Sequence, residues 1–244
     1  MRRADAPRQP FTEGRKFRHE LKYLINEGDA AGIKNRISPF VQHDTHAEGG
    51  MYMLRSLYYD DLWGTAYAEK LMGVSERRKY RIRIYNASDA VIKLECKEKQ
   101  GSYIYKRSAS LSRAEYDRLY AGDCAFLLAR GEEVCKEFYL AYIQRVLRPR
   151  VIVDYEREPF VIPAGDVRIT FDRDVRAAVL RDDLFDKNLP TIRAIEPYKL
   201  VMEVKYTEFL PQIVRDVLPP RASELTAVSK YVLCCDAAGY RTVD

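Results

Sequence analysis

The chain has 244 residues, 47% of them hydrophobic, which suffices for a sizeable core and is an ordinary size for a β-barrel. Its 41 basic and 36 acidic side chains leave a net charge of +5, too small a surplus to announce a nucleic-acid binder by bulk charge. Three histidines argue against a histidine-rich metal centre, and five cysteines with no C-x-x-C spacing read as reduced, buried thiols of a cytoplasmic protein.

No apolar run approaches the ~18–20 residues of a membrane span, and no signal peptide opens the sequence. Residues 1–16 are polar, basic and proline-bearing and read as a flexible lead-in to one domain over 17–244. Phe17 to Leu24 alternates, Arg18, Glu20 and Lys22 against His19, Leu21 and Tyr23, as a strand with a charged face does. Asn26 can cap a helix from Glu27 to about Phe40, and Gln42 to Gly50 is a polar loop. Tyr52 to Asp60 is a strand carrying Arg55, and Trp63 to Lys70 a short helix. Between Arg77 and Lys97 lies a hairpin turned at Asn86-Ala87-Ser88-Asp89. Lys79, Arg81, Arg83 and Tyr85 share one face of its first strand, with Tyr80, Ile82 and Ile84 on the other; Lys93, Glu95 and Lys97 repeat the charged face against Ile92, Leu94 and Cys96. Tyr103 to Ser108 adds Lys106 and Arg107, and either can be the inward base.

Ser112 and Glu115 fit a capping box for a helix to about Tyr120, and Glu132 to Leu147 has helical spacing that Pro149 stops. Arg150 to Tyr155 and Pro159 to Ile162 read as a second hairpin. Val167 to Asp172 presents Arg168, Thr170 and Asp172 together, and Arg181 to Asp186 is an acidic, solvated loop. Leu200 to Tyr206 presents Glu203 with Lys205, and Ala222 to Ala238 is helical around Ser229-Lys230-Tyr231.

At least six strands therefore carry charge on one face and apolar groups on the other. About eight can close on themselves, giving an α+β fold: an antiparallel β-barrel tunnel with charged faces inward and covering helices outside. Unpaired bases in such a space repel one another, and a polyanion relieves this: a base–phosphate pair at ~4 Å and an effective dielectric near ~20 gains ~4 kcal/mol before desolvation. The carboxylates among the bases, Glu20, Glu95 and Glu203, are oxygen donors of the kind Mg²⁺ or Mn²⁺ prefers.

The motifs R-H-E-L-K-Y, R-S-L-Y-Y-D, K-Y-R-I-R-I-Y, L-E-C-K, V-R-I-T-F-D, M-E-V-K and S-K-Y, in this order over Phe17 to Gly239, resemble the VTC-type polyphosphate polymerase domain of the triphosphate tunnel metalloenzymes. That resemblance implies an eight-stranded tunnel that makes inorganic polyphosphate from ATP with Mn²⁺ or Mg²⁺. It implies phosphate contacts at Lys22, Arg81, Arg83, Lys97, Lys106, Arg168 and Lys230 and a metal ligand at Glu203; Lys79, Lys93 and Lys205 share the same strand faces. Two departures stand out. Ala227 replaces a lysine of the eukaryotic members, and Arg18 replaces the first glutamate of the hydrolases' E-x-E-x-K strand, which disfavours simple hydrolysis. ATP and polyphosphate are thus the expected partners, with no nucleic acid, no membrane span and a separate protein for any export.

The blander readings remain open beside these. Arg81 and Arg83 also suit a solvated strand, Lys22 and Lys97 a pair with Glu20 or Glu95, Arg168 a pair with Asp172, Glu203 a bridge to Lys205 or another inward base, and Lys230 ordinary surface charge. Glu20 and Glu95 suit the orienting of lysines as well as metal ligation. A triphosphate hydrolase and a non-catalytic polyphosphate- or nucleic-acid-binding module are the rival functions. Tyr85, Tyr103 and Tyr105 are the aromatics that would favour nucleic acid.

Overall fold

A computed structural model describes residues 19–43, 49–101, 103–178, 183–207, 209–218 and 228–240. The lead-in 1–16, Arg18 and Ala227 lie outside the described residues.

The chain begins with β1 (His19–Asn26) and α1 (Glu27–Ile37). Asn26 and Asp29 form a reciprocal capping box that satisfies the first backbone N–H groups of α1, and Ala30, Ile33 and Ile37 give it a buried face. Pro39 breaks the helix earlier than the periodicity suggests, and Ser38–Phe40 continues only as a 3-10 turn. Next come β2 (Gln42–His43), β3 (Tyr52–Asp60), α2 (Thr65–Leu71), β4 (Glu76–Tyr85) and β5 (Ser88–Gln100). Asn86 and Ala87 both have positive φ, 51° and 50°, as a two-residue hairpin turn requires, and the Met53 N–H donates to the Asn86 side chain to fix it. After β6 (Tyr103–Leu111) come α3 (Arg113–Tyr120), α4 (Glu133–Gln144), β7 (Arg148–Ile162), β8 (Val167–Ala178), β9 (Ile192–Arg193), β10 (Lys199–Tyr206), α5 (Gln212–Val217) and α6 (Lys230–Ala237).

The sheet is antiparallel, in the order β1-β10-β8-β7-β3-β4-β5-β6, with β2 and β9 paired to β7 and β8 off this path. The expected second hairpin is instead one long strand: β7 pairs with β3 up to Arg157 and with β2 from Phe160. Pro159 falls between those two partners and pairs on its other side with Thr170 of β8.

The expected closed barrel is corrected as well. Among the described residues no ladder joins β1 to β6, so the sheet is curled but not closed by backbone hydrogen bonds. The gap is bridged by side chains: the His19 and Tyr103 rings of the two edge strands lie 6.2 Å apart, and Lys97 of β5, one strand in from the β6 edge, donates through Nζ to Glu20 Oε2 at 2.8 Å.

Charge and grease segregate by face as the alternation requires. On the convex side Ile82, Ile84, Leu94 and Cys96 pack under α3 and α4, while Val204, Ile169 and Phe171 pack under α1 and α5. Each such fully buried side chain contributes about 1.5–3 kcal/mol. Arg55 lies on this convex side too, paired with Asp154 at 2.8 Å and donating to the backbone oxygens of Leu184 and Asp186; the loop read as solvated is therefore anchored there. The concave side is divided. One half is apolar, where Leu54, Val151, Val153, Tyr155, Val175 and Ala177 receive Tyr231, Cys234 and Cys235 of α6. The other half is charged and open.

Candidate functional site

The open half of the concave face forms a cavity of about 460 Å³. β1 supplies Glu20 and Lys22, β4 supplies Arg77, Lys79, Arg81 and Arg83, β5 supplies Lys97 and Lys99, and β10 supplies Glu203 and Lys205. Arg157 of β7, Lys230 at the start of α6 and Lys70 of α2 complete the basic wall. The wall thus carries eleven basic side chains and two carboxylates; Asp172 and Glu95 behind it pair with Arg157, Lys230 and Arg81, and an external anion would offset the surplus that remains.

Glu203 is the hub of the deep end. Lys230 Nζ lies 2.9 Å from its Oε1, Lys205 Nζ 3.1 Å from Oε2, and Lys22 and Arg157 both approach to 3.5 Å. Burial alone would raise the Glu203 pKa, but the Lys230, Lys22, Lys205 and Arg157 charges together outweigh it and hold the carboxyl well below its usual range. Asp172, wholly buried, pairs in two-pronged fashion with Arg157 at 2.6 and 2.7 Å and lies 2.5 Å from Lys230 Nζ. Lys230 and Lys22 respond in the opposite sense: burial disfavours their charge, yet the facing carboxylates outweigh it and raise both above an ordinary lysine.

Arg81 and Arg83 are aimed by tyrosines. Arg81 donates to the Tyr58 hydroxyl at 2.8 Å and to Glu95 at 2.8 Å, and Arg83 donates to Ser56 Oγ and the Tyr155 hydroxyl at 3.1 Å. Burial pushes the Tyr155 phenol up, but Arg157, Arg83 and Lys230 outweigh it and leave its pKa below the usual tyrosine value.

Lys79 and Lys97 differ again. Burial and then the neighbouring Arg77, Lys22, Lys70 and Lys97 charges hold Lys79 down to about 7. Burial likewise dominates at Lys97, where Lys22 and Lys205 oppose the attraction of Glu20 and the pKa falls to about 7. Near neutrality both give up a proton easily when the cavity is free of anions.

Of the residues singled out in the sequence, Lys22, Lys79, Arg81, Arg83, Lys97, Lys205, Lys230, Glu20 and Glu203 meet on this wall. The others do not line it. Glu95, expected as a metal ligand, is buried behind Arg81 with its oxygens engaged by Arg81 and Lys106, so it orients bases. Lys106 is the inward residue of its pair, but its side chain is half exposed and, among the described residues, pairs with Glu95; Arg107 points outward to Glu98 and Glu137. Lys93 donates to Ser110 Oγ at 2.6 Å, and Arg168 to the Tyr52 hydroxyl at 3.2 Å rather than pairing with Asp172.

Sequence reasoning missed Arg157, because Pro159 disguised β7; read as one strand, Val151, Val153, Tyr155 and Arg157 alternate onto the inner face. It also missed Tyr58 and Tyr155 as hydrogen-bond partners, and Lys70, Arg77 and Lys99 at the rim. For Arg77 and Lys99 the signal was the same alternation, carried two residues beyond Lys79 and Lys97 along the hairpin; Lys70, on α2, carried no such signal.

Among the described residues no three histidine, cysteine or acidic side chains cluster as a metal site. Glu20 and Glu203 nonetheless fit Mg²⁺ or Mn²⁺. They are ionised, they share Lys22 and Lys205 as neighbours at 3.1–3.6 Å, and such ions take one or two carboxylates and fill their remaining positions with water and phosphate oxygens.

A curled antiparallel sheet whose concave face gathers phosphate-seeking bases around a pair of carboxylates defines a domain of the triphosphate tunnel metalloenzyme type. The chain belongs to the VTC domain family, whose model matches residues 17–238. This superfamily acts in phosphoryl transfer on nucleotide or polyphosphate substrates and generally uses divalent metal ions. No curated protein matches the chain. Among solved structures it is similar to a candidate adenylate cyclase of Bacillus halodurans, at 16% identity and a TM-score of 0.48 over 80% of this chain and 83% of that one. It is also similar to the PH1819 protein of Pyrococcus horikoshii, at 14% identity and a TM-score of 0.45 over 90% of this chain and 98% of that one. Among the described residues no helix is long and apolar enough to cross a membrane.

Proposed function

We propose that the chain is a polyphosphate polymerase, transferring the γ-phosphoryl group of ATP to the end of an inorganic polyphosphate chain. One observation carries the reading: eleven bases against two carboxylates on the wall. A nucleoside triphosphate brings about four negative charges, which leaves much of that surplus uncovered. A second polyanion in the same cavity covers it.

In this reading Arg81 and Arg83 hold the γ-phosphoryl oxygens, since planar guanidinium groups fixed by Tyr58, Glu95, Ser56 and Tyr155 need no reorganisation when charge redistributes. Lys22, Lys97, Lys205 and Lys230 hold the flanking phosphates. A terminal oxygen of the polymer attacks the γ-phosphorus, the bond between that phosphorus and the β–γ bridging oxygen breaks, and ADP leaves with the electron pair. The attacking oxygen is already ionised, so no general base is required, and positioning and electrostatics supply the rate. A divalent metal held by Glu20 and Glu203 would supply further charge neutralisation on the phosphate oxygens.

The test is incubation with ATP and Mn²⁺ while ADP, free phosphate and acid-insoluble polymer are measured separately. ADP accompanied by polymer, with free phosphate the minor product, is the expected result. ADP and free phosphate in equal amounts without polymer makes it a hydrolase, and no ADP at all makes it a binding module.

A further inference from the structure

Four bases at one rim of the cavity form no ion pair among the described residues, although Glu69 lies near enough to Arg77 to favour its charge. Lys70 projects from α2, Arg77 and Lys79 from β4, and Lys99 from β5; Arg77 faces Lys99 across the ladder, and Lys79 faces Lys97 one inward position further on. Their contacts are neutral ones. Lys79 donates to Ser229 Oγ at 3.3 Å and sits 4.6 Å above the Tyr231 ring, and Arg77 donates to the Val74 backbone oxygen. Among the described residues none of the four has a carboxylate within 4 Å, whereas every base around Glu203 does. Lys70 and Lys99 are disfavoured as cations, by partial burial first and by neighbouring positive charge second.

Like charges gathered without counter-charge are costly, and this rim continues the row on β4. From Arg77 to Arg83 the inward residues span about 20 Å of strand, longer than a single triphosphate can fill. Arg81 and Arg83 lie at the inner end of that row and the unopposed bases at its outer end. We propose that Lys70, Arg77, Lys79 and Lys99 form a chain-holding subsite for inorganic polyphosphate, gripping phosphates several units away from the reacting one. This rests on the polymerase reading above and adds a direction to it: the body of the polymer lies toward α2.

The test uses the whole chain and three probes: inorganic tripolyphosphate, a long inorganic polyphosphate, and a single-stranded oligonucleotide matched to it in charge. Binding is measured by calorimetry over a range of salt concentrations for wild type and for the K70A/K99A variant, whose altered side chains lie at the solvent edge. Wild type is expected to bind the long polymer more tightly than tripolyphosphate. The variant is expected to lose about tenfold in affinity for the long polymer and less than about threefold for tripolyphosphate. Its log affinity for the polymer should fall less steeply with log salt, by about two units of slope, because two fewer counterion-displacing contacts form. A variant that loses both ligands by one factor, or loses neither, overturns the rim subsite and leaves the polymerase reading standing. An oligonucleotide bound as tightly as the polymer overturns the assignment of the rim to polyphosphate. Wild type that binds neither phosphate probe overturns the polymerase reading and the rim subsite together.

Discussion

The two ends of the cavity use the same residue type to opposite effect. At the deep end Lys230 and Lys22 face ionised carboxylates and hold their protons more firmly than a free lysine; at the rim Lys79 faces other bases and its pKa drops to about 7. The deep end is neutralised before any ligand arrives, so its geometry is fixed in advance. Among the described residues the rim bases form no ion pair, which leaves their charge for what binds there. Pre-organisation suits the group that reacts, and unspent charge suits a ligand that must be attracted and moved along.

The sharpest way to break this contrast is to remove the deep end's counter-charge. Glu203→Ala leaves Lys230, Lys205, Lys22 and Arg157 crowded together, and stripping one partner from such a buried cluster costs about 3 kcal/mol or more. The variant should unfold at clearly lower urea than wild type, and added tripolyphosphate should recover part of the loss. An unchanged urea midpoint would show that Glu203 does not hold the cluster together.

Arg81→Ala or Arg83→Ala should slow phosphoryl transfer by more than about tenfold, each losing a contact to the transferring group. The fold should persist in the Arg81 variant, because Glu95 keeps Lys106 at 2.9 Å. Activity per folded molecule, set beside the melting temperature, separates the two effects; intact activity with a collapsed melting temperature would make these arginines structural.

The rim can be probed through pH. Lys79 has a folded pKa of about 7, below its unfolded value near ~10.4, so between these values the unfolded chain binds more protons and the ligand-free protein gains stability as pH rises. Bound phosphate requires the protonated amine, so the sign reverses for binding. Polyphosphate affinity should fall by about tenfold from pH 7 to 9, with proton uptake on binding at the higher pH. Lys79→Arg, which keeps its charge throughout, should flatten that slope and leave the share owed to Lys97. A slope unaltered in K79R would clear Lys79 of the effect.

The smallest effect is expected at Lys106. Its side chain is half exposed and reaches the site only through Glu95, so Lys106→Ala should lower the transfer rate by no more than about threefold. A loss as deep as that of Arg81→Ala would place Lys106 in direct contact with phosphate.

Much of this arrangement was legible in the sequence because a strand's two faces are written in alternate letters. Arg81, Arg83, Lys97, Lys22 and Glu203 could be placed on one inner face before any coordinates, and Ser112 and Asn26 announced their helices by their capping partners. What the letters do not carry is curvature and distance along a ladder. Lys93 and Arg168 obey the same alternation as Arg83 and Lys205, which they face across the sheet, yet they lie beyond the open half of the concavity. Glu95 points inward as expected and is still covered, because its neighbour Arg81 folds over it. Arg157 was hidden by a proline that lies between the stretches of β7 paired with β3 and with β2.

The seam between β1 and β6 has a consequence for how the sheet gives way. A fully laddered barrel is a ring, and opening it means breaking backbone hydrogen bonds in series. This one is a cuff fastened by a clasp, Lys97 to Glu20 beside the His19 and Tyr103 rings. Ionic strength acts on the clasp directly: at ~1 M salt the Debye length is ~3 Å, comparable to the pair itself. Amide exchange over His19–Lys22 and Tyr103–Arg107 should therefore quicken with salt while the centrally paired β3 and β7 stay protected, and a bound polyanion that draws Lys97 away from Glu20 should loosen the same edge. On the proposed polymerase reading, product laid along such a cuff would leave sideways through the clasp as well as endwise through the rim.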